Sequence, residues 1–126
     1  MRLILDSGAL IALERNDRAM WQRLKSAHRA ERDLLTHGGV VGQAWRGAGP
    51  HQPLLAKALD GIDVHPLDER LGRAAGELLA ATGSSDVIDA AVVLLAKDHD
   101  HVVTSDPEDL RPLAEASGRH VELIIT

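Results

Sequence analysis

The 126-residue sequence predicts an α/β domain whose helices pack on a central, mostly parallel sheet of about five strands. Three observations predict it. Short apolar runs alternate with longer segments of helical period, the pattern of βα units. Two of those runs end in aspartate, where parallel sheets gather ligand sites. One segment near the C-terminus is apolar on every face, as a buried helix is.

In chain order, Arg2–Leu5 is an apolar strand, and Asp6 after it can cap a helix over Ser7–Arg15. A basic helix follows over Arg18–Ala30, then a short strand near Leu34–Thr36 and a helix over Val40–Arg46. The turn chemistry of Gly47-Ala48-Gly49-Pro50-His51 makes a loop before a helix over Pro53–Leu59 and a strand over Ile62–His65. Next comes a helix over Asp68–Ala81, which Gly83-Ser84-Ser85 breaks while supplying an N-cap hydroxyl for a helix over Ser85–Asp98. A strand over His101–Ser105 leads into a helix over Pro107–Ser117, with Asp106 as N-cap, Pro107 at the first helical position and Asp109 in the first turn. His120–Ile125 is the last strand.

The length suits one domain, residues 1–126, with one core. With no Phe or Tyr, that core is built of Leu, Val, Ile and Ala. Trp21 with Leu24, and Trp45 near Gln43, are candidates for an apolar contact surface, although ordinary core packing is the favoured expectation for both. The absence of Cys excludes disulfides and thiolate metal sites. No apolar run approaches the roughly 20 residues of a membrane span, and the first strand begins almost at Met1, so the expectation is a soluble, cytoplasmic protein without a signal peptide.

Net charge is −5, which argues against binding nucleic acid by bulk charge alone. Its distribution is uneven. Between Arg15 and Arg32 six bases face two acids, leaving the remainder strongly acidic. A basic helix beside an acidic body is one way to hold a phosphate backbone near a metal, and a solvated helix face is the equally weighted alternative.

Asp6 and Asp106 each end an apolar strand, and each is also placed as a helix cap. Asp89 is more telling: it interrupts Val87-Ile88-Asp89-Ala90-Ala91-Val92-Val93-Leu94-Leu95-Ala96, and an ionised carboxylate in such a helix is costly without compensation. Asp86, one turn earlier, suits either the helix dipole or a shared site. Carboxylates collected in one pocket repel one another, and a divalent cation relieves that repulsion. Hard oxygen donors suit Mg²⁺ or Mn²⁺. His99 and His101 are close enough to bind a transition metal, but a solvated turn at a helix end is the favoured expectation.

Three segments together resemble the acidic motifs of PIN domains: Leu5-Asp6-Ser7-Gly8-Ala9-Leu10-Ile11-Ala12-Leu13, Ser85-Asp86-Val87-Ile88-Asp89-Ala90-Ala91-Val92-Val93-Leu94-Leu95-Ala96, and Val103-Thr104-Ser105-Asp106-Pro107-Glu108-Asp109-Leu110. In size the chain is similar to the VapC-type toxins of bacterial toxin-antitoxin pairs. The resemblance implies a three-layer αβα fold and a Mg²⁺- or Mn²⁺-dependent ribonuclease. Asp6, Asp89 and Asp106 would be its catalytic metal ligands, Asp86 a further ligand, and Gln43, Thr104 and Ser105 auxiliary groups. It implies structured RNA as substrate, transfer RNA above all, with products bearing a 5′-phosphate and a 3′-hydroxyl. It also implies a cognate antitoxin and a homodimer. Arg15, Arg18 and Arg46 are RNA-binding candidates. In Val40-Val41-Gly42-Gln43-Ala44-Trp45-Arg46-Gly47, Gln43 stands where the family carries an acid, usually Glu. An amide ligates without adding charge, so the departure implies weaker metal affinity and supports, as the alternative, a PIN fold that binds RNA or protein without catalysis.

A phosphoacceptor domain would need paired acids after the first strand and a Lys after a late one, and a phosphatase with an aspartate nucleophile a second Asp at position 8. The sequence has neither.

Overall fold

The computed structural model describes residues 1–126. Five strands form one sheet: β1 (Leu3–Leu5), β2 (Leu34–His37), β3 (Asp63–His65), β4 (His101–Thr104) and β5 (Glu122–Ile125). The order is β3-β2-β1-β4-β5, and every pair is parallel. Seven helices complete it: α1 (Ser7–Glu14), α2 (Arg18–Arg29), α3 (Gly38–Ala44), α4 (Gln52–Leu59), α5 (Glu69–Thr82), α6 (Val87–Leu95) and α7 (Pro107–Ser117).

The connections leave β1 in opposite directions, toward β2 and β3 on one side and β4 and β5 on the other. Because βα crossovers are right-handed, such a reversal places helices on both faces. Accordingly α1 packs with α2, α3 and α4, whereas α5, α6 and α7 pack with one another. The result is the three-layer α/β architecture the alternating pattern predicts. Its core is a cluster of 28 residues, Leu, Ile, Val and Ala with Met20, and β1 runs through it with all three side chains buried.

The element ends differ from expectation for identifiable reasons. Arg2 stays outside β1 because its N–H is bonded to Asp100 Oδ1 at 2.8 Å. Helix α3 starts at Gly38 because the His37 ring accepts the Gly39 N–H at 3.0 Å. The cap of α6 is Asp86, not Ser85, and α6 stops at Leu95 because Ala96 is extended (ψ 143°). The loop beyond it is tied by the Lys97 N–H donating to Asp100 at 2.8 Å and by His99 at φ 72°. Strand β5 starts at Glu122 because the His120 N–H and C=O are engaged by Asp98 and His99. Gly83, at φ 70°, ends α5 as expected of a breaker.

Core packing holds for Trp21, which lies against the core and donates its indole N–H to Leu13 O at 3.0 Å. It fails for Trp45, which is 40% exposed because α3 ends before it. His99 lies exposed in a turn, as expected, whereas His101 belongs to β4 and faces Glu122 at 3.2 Å across β4 and β5. No single helix is both long and apolar enough to cross a membrane.

Candidate functional site

The sheet reverses its winding between β1 and β4, so a crevice opens beyond their carboxyl ends. Leu5 pairs with Val103 in register, which brings Asp6 alongside the end of β4.

Asp6 is 6% exposed and serves as the N-cap of α1, accepting the Ala9 N–H at 3.0 Å. Burial pushes its pKa up, opposed by the Thr104 hydroxyl and the backbone N–H groups of Ala9, Gly8 and Ser105. Those donors fix its carboxyl in place. Thr104 is fully buried, and its hydroxyl also accepts the Asp106 N–H at 2.9 Å, so one side chain ties together the acids that end the two strands. Gly8 sits hard against Ser105: a Cβ at position 8 would collide with the Ser105 side chain. The first turn of α1 can approach β4 only because position 8 is glycine.

Asp86 caps α6 by accepting the Asp89 N–H at 3.0 Å. This places Asp89 half-buried in the first turn. Burial above all, then the charges of Asp86, Asp6 and Asp109, push Asp89 up to about 7. Asp106 occupies the N-cap position of α7 but makes no side-chain cap hydrogen bond. The neighbouring Asp106 carboxyl and its charge raise the pKa of Asp109 above all, with smaller contributions from burial and from the charge of Asp86. The cap expected at Asp106 is therefore a cap in position only.

Asp89 thus feels the charges of Asp86, Asp6 and Asp109, and Asp109 those of Asp106 and Asp86, so five carboxylates are linked in a chain of repulsions, and none takes part in an ion pair. No three acidic or histidine side chains stand ready-made as a metal-binding group. The donor set nevertheless fits a hard divalent cation: it is all oxygen, it lacks a compensating base, and Asp86, Asp106 and Asp109 are exposed.

Gln43 is exposed near the end of α3. Arg46 spends its guanidinium on Gly42 O (3.1 Å) and Trp45 O (2.8 Å). Arg15 and Arg18 flank the C-terminal end of α1, the end opposite Asp6.

Two residues escaped the sequence argument. Asp109 was read only as a first-turn acid, although its spacing from Asp106 returns it to the same side of the helix. His37 is fully buried at the end of β2, with Nδ1 accepting from Gly39 and Nε2 lying 3.0 Å from Ile88 O. Because Nδ1 accepts, Nε2 carries the proton and donates to Ile88, the residue before Asp89. Burial lowers the His37 pKa, which keeps this neutral tautomer in place. The His37-Gly38-Gly39 run following β2 was the available signal.

No family model matches the chain, and no curated protein matches it in sequence. Among solved structures it is similar to a chain from "Crystal structure of VapBC2 from Rickettsia felis bound to a DNA fragment from their promoter", with TM-score 0.70, 12% identity and 98% of each chain covered. At that identity the likeness establishes fold: the chain has a three-layer α/β fold shared with a chain of that complex, and its chemistry rests on its own residues.

Proposed function

We propose that the protein is a Mg²⁺- or Mn²⁺-dependent endoribonuclease, the toxin of a toxin-antitoxin pair. The observation that carries this is the gathering of five carboxylates without a base at the switch point of the sheet, with Asp89 pushed up to about 7. Catalytic groups are where such displaced pKa values concentrate. The motif resemblance and the fold likeness to a chain of the VapBC2 complex support the same assignment.

Asp6, Asp89 and Asp106 would hold the cation, joined by Asp86 and, by its position, Asp109. The bound ion would supply Lewis acidity toward a phosphodiester and lower the pKa of bound water. The chain's own residues do the rest. Thr104 and the N–H groups of the first turn of α1 hold the Asp6 carboxyl in one orientation. Asp89, pushed up to about 7 by burial and its acidic neighbours, would give up its proton to a bound cation's positive field. Ser105, exposed beside Asp6, offers a hydroxyl to a phosphate oxygen. Gln43 adds no charge. As the resemblance implies, the substrate would be structured RNA such as transfer RNA, and a cognate antitoxin, a homodimer and a cytoplasmic setting would complete the assignment.

The second reading, a PIN-like fold that binds RNA or protein without cutting, is favoured by Gln43 and by the lack of a ready-made metal-binding trio. Incubation of the purified protein with total RNA, with Mn²⁺ and with EDTA, separates the two. Cleavage that requires metal and disappears in Asp6→Asn and Asp89→Asn is expected. Metal-independent cleavage, or activity retained in both variants, would overturn the assignment.

A further inference from the structure

Thr36 and His37, the last two residues of β2, are both fully buried. We propose that this pair positions Asp6 and Asp89 for a shared divalent cation, each side chain anchoring the backbone carbonyl immediately before one of the two acids. The proposal rests on the ribonuclease assignment for the presence of that cation.

The register between β1 and β2 pairs Leu3 with Leu34 and Ile4 with Leu35. One step further the Thr36 hydroxyl donates to Leu5 O at 2.8 Å, and Leu5 is the residue before Asp6. The His37 Nε2–H donates to Ile88 O at 3.0 Å, and Ile88 is the residue before Asp89. A helical carbonyl spends one lone pair on the N–H four residues on and keeps the second for such a donor. The peptide group between Ile88 and Asp89 is thereby held at both poles, its oxygen by His37 and its N–H by Asp86 at 3.0 Å. If Asp86 turns its carboxyl to a cation, the hold on the oxygen remains. A fixed peptide plane fixes where the next side chain leaves the backbone. Two adjacent residues of one strand therefore set the directions of two acids that are far apart in the chain.

Capping α3 alone would need less than a histidine. Ser, Thr, Asp or Asn is the common cap, and His37 already caps through Nδ1, which accepts the Gly39 N–H at 3.0 Å. Only a longer side chain with a second polar atom reaches α6 as well. The packing closes around that second bond. A Cβ at Gly39 would stand 2.5 Å from Ile88 Cδ1 and 2.9 Å from His37 Cε1, whereas a Cβ at Gly38 would meet nothing within 4 Å. Both anchors are also uncharged, His37 because its Nδ1 accepts a hydrogen bond. The charge of Asp6 opposes that of Asp89, and a cationic anchor between them would cancel part of the field that draws a divalent ion. Neutral donors hold the two acids in place without discharging them.

The test is calorimetric titration of Mn²⁺ into the metal-free protein, with thermal unfolding recorded for every variant. Thr36→Val and His37→Asn remove the anchors one at a time, and Asn keeps an oxygen for the Gly39 N–H while falling short of Ile88. Thr36→Ser and His37→Gln restore a donor to Leu5 O and to Ile88 O. Val and Asn should each weaken Mn²⁺ binding about tenfold or more, the usual loss when the partner orienting a metal ligand is removed, and Ser and Gln should return to within about threefold of wild type. Leu24→Ala, a core truncation on α2, lowers stability without touching either anchor and should leave Mn²⁺ affinity unchanged, which separates positioning from general loosening. Wild-type affinity in either Thr36→Val or His37→Asn, no recovery in Ser and Gln, or an equal loss in Leu24→Ala would overturn the proposal. Should an anchor variant fail to fold, magnetic resonance of the isotope-labelled wild type decides. On titration with Mg²⁺ the Asp89 amide and the His37 ring N–H should shift together, and a ring N–H unmoved while the amide shifts would overturn the proposal. If the wild type takes up no Mn²⁺, the ribonuclease assignment fails and the positioning role with it; if wild type and anchor variants bind equally, the positioning role alone fails.

Discussion

Replacing Asp89 with Asn removes the most strained charge in the carboxylate cluster and should stabilise the protein at alkaline pH. Asp89 is pushed from the ordinary 3.8 to about 7, so its folded form holds a proton that the unfolded chain has already lost. Stability attributable to this group therefore falls as pH rises from about 4, and the whole cost is present above about 7. A displacement of that size is worth about 4 kcal/mol at full strength. Because the side chain is only half-buried, solvent screening reduces it to about 2 kcal/mol. For a chain of this length that is a rise in Tm of about 8 °C. Thermal unfolding of wild type and Asp89→Asn, in EDTA between pH 4.5 and pH 8, reads the difference directly: the variant should gain on wild type with rising pH. Divalent cation should reverse the order, since Mn²⁺ a hundredfold above its Kd adds about 2.7 kcal/mol to a protein that binds it only when folded. A variant less stable than wild type at pH 8 in EDTA, or a difference independent of pH, would refute the repulsion on which the site rests.

Three further outcomes follow from other contacts. His37→Ala leaves Ile88 O and the Gly39 N–H without buried partners, so urea unfolding should show a loss of about 3 kcal/mol. Asp100→Ala strips the Arg2 guanidinium and the Lys97 N–H of their buried acceptor and should cost about 3 to 5 kcal/mol. Burial raises the Asp100 pKa, but the N–H groups of Lys97 and Arg2 and the Arg2 charge outweigh it, so this contribution is present near neutrality and lost on acidification, a dependence the variant should lack in denaturant titrations. Gly8→Ala forces a Cβ into Ser105 and should cost about 1 to 3 kcal/mol, and the double variant Gly8→Ala/Ser105→Gly should recover the stability; a double variant no more stable than the single one would show that the crowding lies elsewhere.

The sheet and helices were legible in the sequence because each long element carries its own period, and α7 was placed residue for residue from its Asp-Pro start. What escaped notice was long-range. The early stop of α6 depends on Asp100, which also anchors Arg2, ninety-eight positions away in the chain, and periodicity carries no trace of such a contact. At the site, Asp6, Asp86, Asp89 and Asp106 could be singled out because acids beside apolar runs are locally conspicuous. Their arrangement could not. Asp106 holds the cap position of α7 without making the cap hydrogen bond, a matter of side-chain placement that spacing does not encode. His37 was passed over because its role depends on α6 lying across β2, a packing that no local pattern encodes.

The field of the five aspartates is tested by titrating Mn²⁺ into the metal-free protein by calorimetry near pH 7, in buffers of differing ionisation heat. Saturable binding with release of a fraction of a proton from wild type, weakened at least about tenfold and without that release in Asp89→Asn, is the predicted result. Absence of binding, or equal affinity and equal proton release in both proteins, would contradict it.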